Sequence, residues 1–238
     1  MKFSLIQDGA IRQVTPEMFL MCFRYTMTAR IAPTCNTIGY NYLINNRNFL
    51  STSGPQDGMK YQVSLNDSST VLELKPIKII LIHSDENYQP GDCVRVFPSL
   101  NKAIVEEYCE TLPQSGSFKC YQDLRRHWKN IHGYRIPEAE CSYYRVRFWC
   151  GEPFTYPKLC LTQNFPIITP MPKSAEEPVL SRFIATLKTK MPYFLGIPLL
   201  IKSDSENRNI SANDVSNDTY TQAVSLCTPT QRSTQQKR

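Results

Sequence analysis

The chain has 238 residues, 41% of them hydrophobic and 20% charged, enough to bury a sizeable core in one elaborate domain or two small ones. Its net charge of +6 is too small to imply nucleic acid without clustering, and no stretch approaches the run of about 18 uncharged apolar residues that a membrane span requires. Nine cysteines at irregular spacing follow an opening, MKFSLIQDG, that lacks the apolar core of a signal peptide, so free thiols in the cytoplasm or nucleus, away from membranes, are expected.

Residues 1–98 read mainly as strands, at 3–6, 25–31, 40–44, 61–65 and along TVLELKPIKIILI from Thr70 to Ile82. YQVSL and TVLEL, separated by Asn66, Asp67, Ser68 and Ser69, fit a hairpin with a four-residue polar loop. Pro76 lacks a ladder donor and marks an edge, a bulge or a division into two shorter strands. A strand follows at 93–97. Leu100, Ala103, Ile104 and Tyr108 then fall at helical spacing behind Ser99 as N-cap, so 100–110 reads as a helix.

A second helix spans 121–132 and stops at Gly133, and one or two strands occupy 141–150. The third helix opens at Ser174, in capping-box spacing to Glu177, and ends at Pro192. From 203 onward the composition turns polar and aperiodic and reads as a disordered tail. That tail holds Thr221, Thr230 and Thr234, each before Gln, and Thr228 before Pro229, dipeptides of the kind kinases recognise. The resulting class is α+β: a mostly antiparallel sheet in the N-terminal half, a helix-containing C-terminal half, then the tail. Residues 1–202 are expected to form a single domain, with a subdivision near 90 as the alternative.

Candidate sites concentrate between Phe118 and Cys160, which hold both tryptophans, two of the three histidines and a cluster of arginines. Cys109, Cys120, His127 and His132 have a zinc-like outline, but their spacing does not fit a finger. Histidines five apart on a regular helix also diverge by about 140°. No cofactor or metal is therefore expected. In the helix Tyr121, Leu124, Trp128 and Ile131 share one face, and Arg125, Arg126 and Lys129 form a basic one. In YYRVRFWC, Tyr143, Arg145, Arg147 and Trp149 alternate with a core-like set of Tyr144, Val146, Phe148 and Cys150. Interleaved aromatics and arginines are used to stack bases and hold phosphates, and equally to cover sheets that bind nothing. No Gly-rich phosphate loop, G-x-S-x-G elbow or H-E-x-x-H helix is present.

The words FRYTMTARIAPTCNTIGYNYLINNRNFLS (23–51), YQDLRRHWKNIHGYRIPE (121–138), FTYPKLC (154–160) and VLSRFIATLKTKMPYFLGIPLLIK (179–202) resemble an uncharacterised animal family of unknown function. It is typified by the human open reading frame numbered sixty-three on chromosome eighteen. The resemblance brings no activity, ligand or catalytic residue with it. The family pattern has tyrosine where this chain has His132 and serine where it has Cys120, which weakens the zinc reading further. Family members carry more domain sequence ahead of the matched segment, so the chain reads as an N-terminally shortened member with an exposed, association-prone sheet edge.

The expectation for function is a non-enzymatic intracellular protein-interaction module, with Tyr143, Trp149, Phe154 and Tyr156 meeting a protein partner. The alternative is a nucleic-acid-binding domain using Arg125, Arg126, Lys129, Arg145 and Arg147, and an enzyme of unknown class stands third.

Overall fold

The structure, a computed structural model, describes residues 14–32, 34–66, 69–84, 86–113, 118–203 and 222–227. Helix α1 (Pro16–Ile31) comes first, then strands β1 (Asn36–Ile38), β2 (Tyr42–Ile44), β3 (Pro55–Asn66), β4 (Ser69–Ile80), β5 (Cys93–Val96) and β6 (Asn101–Cys109). Helix α2 (Tyr121–His127) continues into a π-turn at Trp128–His132. β7 (Tyr143–Arg147), β8 (Phe154–Pro157), β9 (Leu161–Thr162) and β10 (Ile167–Pro170) precede α3 (Lys173–Lys190). Last come β11 (Tyr193–Phe194), β12 (Ile197–Pro198), β13 (Leu200–Ser203) and β14 (Gln222–Cys227).

All pairing is antiparallel, in an α+β arrangement of a large sheet ordered β1-β2-β3-β4-β14-β13, a smaller sheet ordered β8-β7-β6-β5-β9, and the β11-β12 hairpin. The anticipated hairpin is the spine of the large sheet. Its ladder runs from Pro55↔Ile80 to Asn66↔Ser69, tighter than the four-residue loop expected. On its far side β4 meets β14 along Ser69–Leu74 and β10 along Ile77–Ile80, and Pro76, with no N–H to give, falls in the gap between them.

The hairpin also changes its buried face at one register position. Leu72 and Leu74 of β4, with Met59, Tyr61 and Val63 of β3, are buried beneath α1 and α3. Past Pro76 the alternation shifts by one residue, so Ile77 and Ile79 point to the opposite side. There they join Phe97, Leu124, Trp128, Tyr134 and Tyr143 in a second core shared with α2 and the small sheet. Gly58, paired with Ile77, sits at this switch; a Cβ on it would stand 2.6 Å from Ile79 Cδ1 and 2.8 Å from Leu43 O. A third core, with Val94, Val96, Val105, Tyr144 and Val146, fills the other face of the small sheet.

Three sequence expectations are corrected. Residues 25–31 form the second half of α1, not a strand: the Thr15 side chain accepts from Met18 N at 3.3 Å, Pro16 occupies the first turn, and Phe23, Met27 and Ile31 bury one helical stripe. Residues 101–109 form β6, not a helix, and Ser99 lies in the preceding turn; Ala103 and Val105 point into the third core while Lys102 and Ile104 do not. α3 starts at Lys173 behind Pro172, without a capping bond from Ser174. The expected strand at 3–6, loop residues Asp67 and Ser68, and most of 204–238, with Thr221, Thr228, Thr230 and Thr234, lie outside the described residues. Within 203–238, Ser203 ends β13 and Gln222–Cys227 form β14.

Candidate functional site

The π-turn after α2 organises the surface around it. Gly133 ends it at φ 72°, donating to Lys129 O at 3.2 Å, while Tyr134 N–H reaches Trp128 O at 3.2 Å, a widened form of a glycine helix stop. The glycine is required: a Cβ there would stand 2.6 Å from Ala32 Cβ on the end of α1. The left-handed turn sends Tyr134 inward, where its ring packs on Phe49 and Trp128 and its hydroxyl donates to Thr37 O. Burial raises the Tyr134 pKa far above its ordinary value, so the hydroxyl stays a donor.

The segment 134–138 then runs back beside α2 and encloses a cleft of ≈ 640 Å³. Arg125, Arg126, Lys129 and Arg135 line it, against a single acid, Glu138. Arg125 is partly committed, with Nε donating to Ile136 O at 3.2 Å and a guanidinium nitrogen 3.6 Å from Glu138. Arg126 makes a 3.4 Å contact with Asp123 and is largely exposed, so that pair contributes little. Lys129 and Arg135 have no ion pair among the described residues.

Lys129 also borders a second depression, a groove of ≈ 550 Å³ on the other side of the π-turn. Here Tyr25 of α1 and Tyr40 of the β1–β2 turn are each 77% exposed, and Ile131 is exposed beside them. Small residues, including Ala29, Ala32, Gly39 and Gly133, make up much of the groove's lining.

The other basic candidates lie apart from the cleft. Arg145 and Arg147 sit on β7, paired with Glu107 at 3.2 Å and Glu106 at 2.8 Å across a bulge in β6. Of the four aromatic candidates, Tyr143 is fully buried, with its hydroxyl 2.7 Å from Glu140, and cannot meet a partner. The alternation expected for Tyr143–Cys150 fails there because both faces of the small sheet are covered: Tyr143 belongs to the second core and Tyr144 to the third. Tyr156 is half-buried against Trp128 and Phe148. Trp149 is fully exposed in the loop after β7, and Phe154, at the start of edge strand β8, is 56% exposed.

Five residues apart on an α-helix, His127 and His132 would diverge; around a π-turn their rings stand 5.9 Å apart. Burial, and secondarily the neighbouring His127, lower the His132 pKa. No group of three or more His, Cys, Asp or Glu among the described residues could hold a metal ion. Desolvation pushes up the thiols of buried Cys35 and Cys160 and of half-buried Cys141, away from the thiolate a nucleophile needs. No helix among the described residues is long and apolar enough to cross a membrane.

No solved structure matches the chain. The model of a domain of unknown function (DUF4708) matches residues 2–87 and 82–169, a span containing every residue that lines the cleft and the groove. Most of the sequence is thus covered, and the chain belongs to the DUF4708 family.

Proposed function

We propose that the protein binds nucleic acid through the basic cleft beside α2. The observation that carries this reading is the convergence of Arg125, Arg126, Lys129 and Arg135 on one concave surface whose lining holds one carboxylate, Glu138. The sheet arginines Arg145 and Arg147 are left out of this reading because they do not line that cleft, and each is paired with a glutamate. Phosphate oxygens are the natural complement of such a surface, and each phosphate bound releases condensed counterions. Affinity for oligonucleotides is expected in the micromolar range near physiological salt and steeply stronger below it. Arg126→Glu with Arg135→Glu should lower affinity and flatten the salt dependence, by about 0.7 to 0.9 in log–log slope for each phosphate that is no longer neutralised. Arg125 is the poorer choice because it also ties down the Ile136 carbonyl. Titration by fluorescence anisotropy decides: absence of binding at low salt, or binding indifferent to the double charge reversal, rejects the reading.

A protein partner is the second reading, favoured by one observation, the full exposure of Trp149 in the loop that leads to exposed Phe154. The surface is smaller than four aromatics would make, because Tyr143 is buried and Tyr156 half-buried. Such a partner would bind with little salt dependence and dissociate on Trp149→Ala. A nucleic-acid ligand agrees with work in the cytoplasm or nucleus. Within the wider family, the RHW, GY-x-x-P and FTYP words (126–128, 133–137, 154–157) support kinship with the animal group typified by the human chromosome-eighteen protein.

A further inference from the structure

The cleft and the groove meet at Lys129, and their chemistries differ in a way that selects among nucleic acids. The cleft offers cations and few aromatic faces; the groove offers two exposed phenol rings, a lining rich in small residues, and few charges. We propose that the protein prefers unpaired strands, with phosphates following the cleft and a base turned over the Lys129 ridge into the groove against Tyr25 and Tyr40. The proposal rests on the cleft reading above and adds the class of ligand and the role of the tyrosines.

Four observations argue for it. In a duplex the bases are stacked inside and cannot enter a side groove while the backbone tracks the neighbouring cleft; a single strand can splay them out. The backbone that carries each tyrosine is fixed. Tyr25 stands on a capped helix whose opposite stripe is buried, and Tyr40 is fixed by the Tyr61 hydroxyl donating to its carbonyl at 3.1 Å. Side-chain groups suited to base edges border the same groove: the Asn130 side chain has no hydrogen bond among the described residues, and burial favours the neutral form of the half-buried His132, which has one donor and one acceptor. The groove itself carries no acidic side chain, so nothing in it repels the strand.

The test uses the full chain with four labelled ligands of one length: oligo(dT), oligo(U), an abasic deoxy strand and a duplex. Both base-bearing single strands should bind at least about tenfold tighter than the duplex and the abasic strand. Tyr25→Ala and Tyr40→Ala should each cost about 5- to 100-fold on oligo(dT), the range for loss of one base stack, without changing the salt slope, and Phe at either position should restore binding. Removing the rings and removing the bases should also be non-additive, as one interaction removed twice. Both rings are exposed, so a folding defect is not expected from the truncations. Equal affinity for duplex and single strand, or tyrosine variants that bind oligo(dT) normally while Arg126→Glu/Arg135→Glu does not, overturns the strand preference and leaves the cleft reading standing. No binding of any ligand overturns both.

Discussion

His132 shows how much of a residue's character is set by what folds over it. Its ring lies against Trp128 and faces His127 and Tyr134, and burial is the main reason its pKa falls below the ordinary 6.5. His83 is shifted the same way, also chiefly by burial. The unfolded chain therefore takes up protons more readily than the folded one as pH drops through that ordinary value, so stability should fall between pH 7 and pH 5. Thermal unfolding across that range should show the decline, and His132→Asn combined with His83→Asn should flatten it. An unchanged slope in the double variant would remove these imidazoles from the account. Neither shift was legible in the sequence, because nothing local says that His132 ends a π-turn beneath an aromatic cluster.

At the level of elements, the legible parts were those whose periodicity and punctuation agree. The β3–β4 hairpin follows from two alternating runs around polar residues, and the stop at Gly133 from a glycine behind a helical pattern. Even the change of buried face is written in the sequence, as a shift of apolar phase from Leu72 and Leu74 to Ile77 and Ile79 around Pro76. The failures came where a β-like composition and a helical start signal compete. Residues 25–31 carry Tyr, Thr and Ile, but the T-P-E signal lies ten residues upstream, at Thr15–Glu17. That error hid Tyr25, and with it the groove; reading 100–110 as a helix hid the cross-strand partners Glu106 and Glu107 that occupy Arg147 and Arg145. Tyr25 and Met27 separate the two readings by experiment. On the strand expected at 25–31 they would share a face; on α1 Met27 is buried and Tyr25 exposed. Met27→Ala should cost about 2–5 kcal/mol and Tyr25→Ala at most about 0.5 kcal/mol, measured by denaturant unfolding.

Across the whole molecule, the β3–β4 hairpin is a wall common to two cores, one under α1 and α3 and the other under α2 and the small sheet. The second core draws on Ile77 and Ile79 before position 90 and on Phe97, Trp128 and Tyr143 after it, and β10 returns to β4 from the far side of the small sheet. We propose that residues 1–202 unfold as one cooperative unit. Fluorescence of buried Trp128, isolated in a Trp149→Phe background, should then report the same midpoint as far-ultraviolet circular dichroism. Two separated transitions would divide the chain.

A π-turn accommodates one residue more than the α-turn it replaces, so Trp128–His132 amounts to an insertion absorbed without breaking the helix. Loss of one codon in that stretch would restore an ordinary helical end and swing Ile131 and His132 around the axis by about 100°. The ridge dividing the two depressions is therefore adjustable by a change in gene length, a route by which related chains could acquire or erase the groove in a single step while every neighbouring side chain stays the same.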